Sequence, residues 1–163
     1  MYCKSLTSRK YVVTILEKGI VLKKLMLLPL LLTSLTASEL VQTDTTLSVN
    51  ECTNTIVKKI EAKKGFGVFA IIDHQKNAKK VGMSLAPQRV IIFGNPKAGT
   101  LLMQNDAQIG YDLPLRIMVR EKSGKIVVEY RNPIDFASNY HLGNSPLPKK
   151  MAKLLNGLAK SCR

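Results

Sequence analysis

Tryptophan is absent from this chain, aromatic residues make up 6% of it, and it has two histidines and three cysteines. Each scarcity removes a class of function. Without aromatic platforms along a basic groove there is nothing for unstacked bases to lie on, so no nucleic acid partner is expected. His74 and His141 are the only histidines, and neither C-x-x-C nor H-E-x-x-H occurs, so no metal and no cofactor are expected. G-x-S-x-G is missing too, and Cys52 lies on an apolar helix stripe with no activating base nearby in sequence, which leaves no assigned nucleophile. Acids are also few: 11 against 25 Lys and Arg, a formal charge of +14.

Part of that charge sits in a leader-like segment. Lys23-Lys24 precede the apolar run Leu25 to Leu32, which Pro29 interrupts, and the small residues Thr33 to Ser38 follow. A basic start, a short apolar stretch and a small-residue exit read as a secretory signal over residues 1–38. The run is far shorter than the roughly 20 residues that span a bilayer. An exported protein, periplasmic or secreted, is expected. No cysteine stands at the cleavage point to carry a lipid. Residues 1–20 make an odd leader, with an apolar island of their own and Glu17, so translation is expected to start near Val21 or Leu22. Recovery of Met1 by N-terminal sequencing of the precursor would sink that expectation.

Residues 1–38 carry six Lys or Arg and one acid, and the remainder keeps a net charge of about +9. In an exported protein this suggests a small anionic ligand or weak association with anionic lipid or wall polymer, against the plain alternative of a solvated basic face. Cys52 and Cys162 remain after export. In an oxidising compartment they either pair or stay as buried thiols, and spacing alone leaves both open.

Residues 39–47, Thr-rich and without an apolar period, read as a tether or weak edge strand before a domain over 48–163. Ser48 or Asn50 caps a helix with Cys52, Ile56 and Ile60 on one face, ended by Gly65. Phe66 to Ile72 is a continuous strand-forming run. Asp73 caps a second helix, whose face His74, Ala78, Val81, Gly82 and Leu85 continues until Pro87. Arg89 to Phe93 forms the next strand, and Thr100 to Ile109 a short helix. Leu113, Leu115, Ile117 and Val119 alternate with polar or exposed positions and turn through Ser123-Gly124 into Ile126 to Arg131, an antiparallel hairpin. A helical stretch from Ile134 leads to a last helix with the stripe Leu147, Met151, Leu154, Leu155, Leu158 and Cys162. This order predicts a single α+β domain with a mainly antiparallel sheet.

Several short blocks stand out in sequence: Gly65-Phe66, Ile72-Asp73-His74, Val81-Gly82, Phe93 to Thr100, Leu102-Met103, Asp112-Leu113-Pro114 and Asn132-Pro133. In this order, over residues 48–160, they resemble a bacterial family known as domain of unknown function 302. The resemblance implies helices packed on one side of a curved antiparallel sheet, similar in layout to TATA-binding-protein-like folds. It implies no assigned activity.

Gly94-Asn95-Pro96-Lys97-Ala98-Gly99-Thr100 has the glycine spacing of a phosphate-cradling loop, yet Thr100 stands where a nucleotide-binding loop needs lysine. That excludes nucleotide hydrolysis and leaves Lys97 and Thr100 as ligands for a carboxylate, sulfate or phosphate, or else a structural turn. Asp73, His74, Asn95, Lys97 and Thr100 all fall in the family's blocks. The functional reading places Asp73 and His74 beside this loop, with His74 as a candidate acid or base, Lys97 holding an anion and Tyr130 donating its hydroxyl. The structural reading makes Asp73 a cap and His74 a packed side chain. Three functions follow in order: a self-associating, non-catalytic module for a small anionic or polar ligand; a small enzyme using His74; a structural or partner-binding domain.

Overall fold

A computed structural model describes residues 40–163; the leader and the alternative start lie outside the described residues. The chain runs β1 (Leu40–Thr45), α1 (Val49–Glu61), β2 (Gly67–Asp73), α2 (His74–Lys80), β3 (Gln88–Gly94), α3 (Pro96–Asn105), a 3-10 turn (Ala107–Tyr111), β4 (Leu115–Lys122), β5 (Lys125–Arg131), α4 (Pro133–Ala137) and α5 (Leu147–Lys160). The strands form one five-stranded sheet in the order β1-β5-β4-β3-β2, antiparallel throughout. Helices cover one face, so the fold is α+β with helix and sheet in two layers.

Alternation in the strands decides what each face carries. Ile117 pairs with Ile91 and Leu115 with Phe93, and these four side chains are buried on the helix side with Val119, Val128 and Tyr130. Against them α1 brings Cys52, Ile56 and Ile60 and α5 brings Leu155, Leu158 and Ala159, all buried. At the end of this interface Cys52 and Cys162 form a disulfide with Cα atoms 5.2 Å apart, within the span a bridge needs. The Thr45 hydroxyl donates to the Cys162 carbonyl, so β1 is tied to the same corner.

One open alternative is resolved and two expectations need correction. Of tether and edge strand, Leu40–Thr45 is the edge strand: it pairs along its whole length with Ile126–Arg131, and Thr43 is buried there. α2 stops at Lys80, because Gly82 takes a positive φ of 74° and the chain turns out before Val81, Met83 and Leu85 find any partner. α3 starts at Pro96, earlier than Thr100, since Asn95 caps it and proline suits the first helical position; it ends at Asn105 and a 3-10 turn follows.

The caps carry a pH dependence. The Ser48 hydroxyl accepts the Glu51 N–H at 3.2 Å while the Glu51 carboxylate accepts the Ser48 N–H at 3.0 Å, a reciprocal capping box for α1. Asp73 accepts the Lys76 N–H at 2.8 Å and pairs with Arg89 at 3.0 Å. Hydrogen bonding from Lys76, then from Arg89, holds the Asp73 carboxyl below its ordinary 3.8, and the Ser48 hydroxyl holds Glu51 below 4.5. Between the depressed and ordinary values the unfolded chain binds more protons than the native one. The stabilisation is therefore present above the ordinary values and lost as pH falls through the depressed ones. Asp73→Ala is expected to cost about 1 kcal/mol near neutral pH, and the gap between variant and parent should close in acid below the Asp73 range. Urea midpoints of both proteins at neutral and acid pH check this; a gap that persists in acid would contradict it.

Candidate functional site

The bend after β3 is tight. Gly94 ends the strand, the Asn95 side chain accepts the Ala98 N–H at 3.0 Å, and Pro96 has no N–H to offer. Two of the groups a phosphate cradle would use are thus taken or missing. Lys97 and Thr100 lie in the first turns of α3, and Lys97 points to solvent. Gly65, at φ 80°, backs onto this bend: a Cβ there would sit 2.8 Å from the Asn95 Nδ2, so a side chain at Gly65 would displace the cap.

Beside the bend is an apolar cavity of about 390 Å³, walled by Phe66, Phe69, Met103, Leu113, Pro114 and Met151. Glycines at positions 94, 99 and 110 also line it. At two of them neighbouring side chains pack where a Cβ would stand. A Cβ on Gly94 would come 3.3 Å from the Phe69 ring, and one on Gly110 would come 3.3 Å from the Met103 sulfur. Phe69 is 53% exposed, as the rim of this cavity. Of the side chains singled out by sequence, Asn95 and Thr100 line it.

The others are elsewhere. Gly67 pairs with Gly94, whereas Asp73 pairs with Arg89 at the opposite end of the same two strands. The five steps along β3 from Arg89 to Gly94 put the two ends about 17 Å apart. Asp73 and His74 therefore do not flank the loop, which corrects the expected neighbourhood. Tyr130 is 6% exposed on the helix side, its phenol pushed up by burial, and it lines a separate hollow of about 500 Å³ with Asp112, Arg116 and Phe136. His74, Lys97 and Tyr130 are not brought together, so the acid–base trio anticipated from sequence has no common substrate position. Among the described residues, no three His, Cys, Asp or Glu side chains converge as a metal site.

Phe69, Met103, Leu113 and Met151 were not legible as site residues, because each reads as an ordinary core position of its element. The signal that points to them is the glycine triplet at 94, 99 and 110: the Phe69 ring packs on Gly94, and the Met103 side chain lies against Gly99 and Gly110.

The described residues define a class of small α+β domains with helices on one side of an antiparallel sheet, here with an apolar cavity at one end of the sheet. The particular member follows from comparison: the model of the domain of unknown function DUF302 matches residues 41–159, and the chain belongs to that family. A crystal structure of an uncharacterized conserved DUF302 protein from Bacillus stearothermophilus superposes with a TM-score of 0.65 at 20% identity, covering 78% of this chain and all of that one. Curated relatives named fluoride-specific ion channel FluC 1, from Brucella suis and Brucella abortus, are 39% identical over 113 residues, 69% of this chain. The chain spans 44% and 42% of their lengths.

Proposed function

We propose that this is an exported, non-catalytic module that binds one small ligand with its apolar body in the cavity beside Gly94. The carrying observation is that cavity: about 390 Å³, within the roughly 300–1,000 Å³ of small-molecule sites, and lined by apolar side chains with few polar groups. Its chemistry shifts the sequence-based expectation from a polar or anionic ligand held by Lys97 to a ligand whose buried part is hydrocarbon. Thr100 and the Asn95 amide supply polar contacts at the rim. Export is supported by the basic, apolar and small-residue segments of residues 23–38 and by a disulfide that persists in an oxidising compartment.

Native mass spectrometry of the protein from its producing cell tests both parts. The expected result is a mass lacking the leader, with an adduct that is lost on denaturation. Gly99 separates ligand loss from unfolding. A Cβ at Gly99 meets nothing closer than the Met103 methyl at 3.9 Å, so Gly99→Ala should raise stability by about 0.5–1 kcal/mol through helix propensity. Gly99→Leu projects into the cavity and should lose the adduct while remaining folded. An adduct retained in Gly99→Leu would move the ligand elsewhere.

The Brucella relatives favour a second reading. In them a segment like this chain is part of a longer polypeptide named for a fluoride channel, and the second reading makes this chain a module that docks on such a membrane protein. Among the described residues no helix is long and apolar enough to cross a membrane. Co-purification with a tagged channel of that type tests the reading, and recovery of the channel without this chain counts against it.

A further inference from the structure

The cavity beside Gly94 continues past Phe66. A wider hollow of about 880 Å³ lies between α1 and α5 and shares Phe66, Asn95, Ala98 and Met151 with it. Its apolar lining comes from Ala62, Leu147, Leu154 and Leu158, and its rim carries Lys59, Lys63, Lys150 and Lys153. Among the described residues no acidic side chain lines either hollow. None of the four lysines takes part in an ion pair among the described residues. Lys63 instead stands 6.0 Å over the Phe66 ring, at the junction of the two hollows.

Four ammonium groups along one groove repel one another, and their field is concentrated by the apolar wall they border. Lysine stems lie along apolar surface while their heads stay in water, so the groove offers hydrocarbon below and positive charge above. A ligand that satisfies both halves has an apolar tail and a negatively charged head. We propose that the joined hollows hold a single-chain anionic amphiphile, its tail in the cavity walled by Phe69, Met103 and Met151 and its carboxylate or phosphate head among Lys59, Lys63, Lys150 and Lys153. This rests on the ligand-cavity reading above and specifies its ligand class.

The phosphate and carboxylate forms share this chemistry and are separated by experiment. Calorimetric titration of the mature protein with decanoate, decyl phosphate, decanol and decyltrimethylammonium, each below its micelle concentration, compares heads on one tail. Decanoate or decyl phosphate should bind roughly ten-fold more tightly than decanol at low salt, with the cationic amphiphile weakest, and the advantage should shrink as salt screens the rim. The tighter of the two anions names the head. Changing Lys59, Lys63, Lys150 and Lys153 together to Gln should reduce the anion advantage to about two-fold or less without changing the thermal midpoint greatly; the pairs Lys59→Gln/Lys63→Gln and Lys150→Gln/Lys153→Gln serve if the quadruple variant does not fold. Decanol binding as tightly as decanoate overturns the amphiphile assignment while leaving the cavity reading intact. No binding by any of the four overturns both. Sedimentation of the protein with anionic vesicles, without uptake of monomeric decanoate or decyl phosphate, would assign the lysines to a membrane surface and also overturn the proposal.

Discussion

Replacing Cys52 and Cys162 together by alanine is expected to lower the unfolding free energy by about 4–5 kcal/mol. The bridge closes a loop of 110 residues, and the unfolded chain regains that loop's freedom once it is removed. Both cysteines are fully buried where α1 meets the C-terminal end of α5, so the variant also loses packing in the core. With total stabilities of about 5–15 kcal/mol for small domains, a loss of this size leaves the fold marginal. Urea unfolding with and without reductant checks the assignment: reductant should bring the parent towards the alanine variant and leave the variant unchanged. A parent whose midpoint ignores a strong reductant under unfolding conditions would show that the two sulfurs are not joined.

The second large effect lies on the other face of the sheet. Glu129 is 3% exposed, and the Arg120 guanidinium donates to both its oxygens, at 2.7 and 3.0 Å. Lys122 stands further off, at 3.9 Å. Arg120→Met leaves a buried carboxylate with that remote lysine alone and is expected to cost about 3 kcal/mol. Arg120→Met/Glu129→Leu removes both charges and should recover most of the loss, because a paired buried charge contributes little net stability over apolar residues of similar size. A double-mutant cycle in urea measures the coupling. Equal destabilisation in the single and the double variant would mean that packing, and not the unpaired charge, sets the effect.

How far the sequence could be read depends on what kind of signal each element carries. β4 was legible because the alternation in Leu115 to Val119 has one physical cause, a strand with two unlike sides, and β5 because a β-branched run, Ile126 to Val128, follows the turn residues Ser123-Gly124. The inward placement of Cys52 and Cys162 was legible from their spacing to Ile56, Ile60, Leu155 and Leu158. α2 was overextended because periodicity says which face a helix would bury, not that anything is there to receive it. Val81 is 70% exposed, and Gly82 turns the chain before Leu85. β1 was left between tether and edge strand for the opposite reason: threonines give no apolar period, yet their branched side chains suit an edge strand whose partner, β5, is remote in sequence.

The site was half legible. Asn95 and Thr100 line the cavity, and the glycines that shape it were visible. The placement of Asp73 and His74 failed on direction: in an antiparallel pair the end of β2 lies beside the beginning of β3, so residues after β2 and residues after β3 leave from opposite ends. The apolar walls come from Phe66, Phe69, Met103, Leu113 and Met151, which are distant in sequence and meet only when α3, β2 and α5 are packed.

Among the described residues β2 is hydrogen-bonded on one side only, and its sequence Gly67-Val68-Phe69-Ala70-Ile71-Ile72 has no charge. Such a rim would normally invite fibril-like stacking of one copy on another. The register slips between Val68 and Ala70, and that irregularity bends the strand at its middle and interrupts the even row of outward N–H and C=O groups. The irregularity at Phe69, which rims the cavity, thus also denies a neighbouring molecule a straight template, so that one position serves both the cavity's rim and the edge of the sheet.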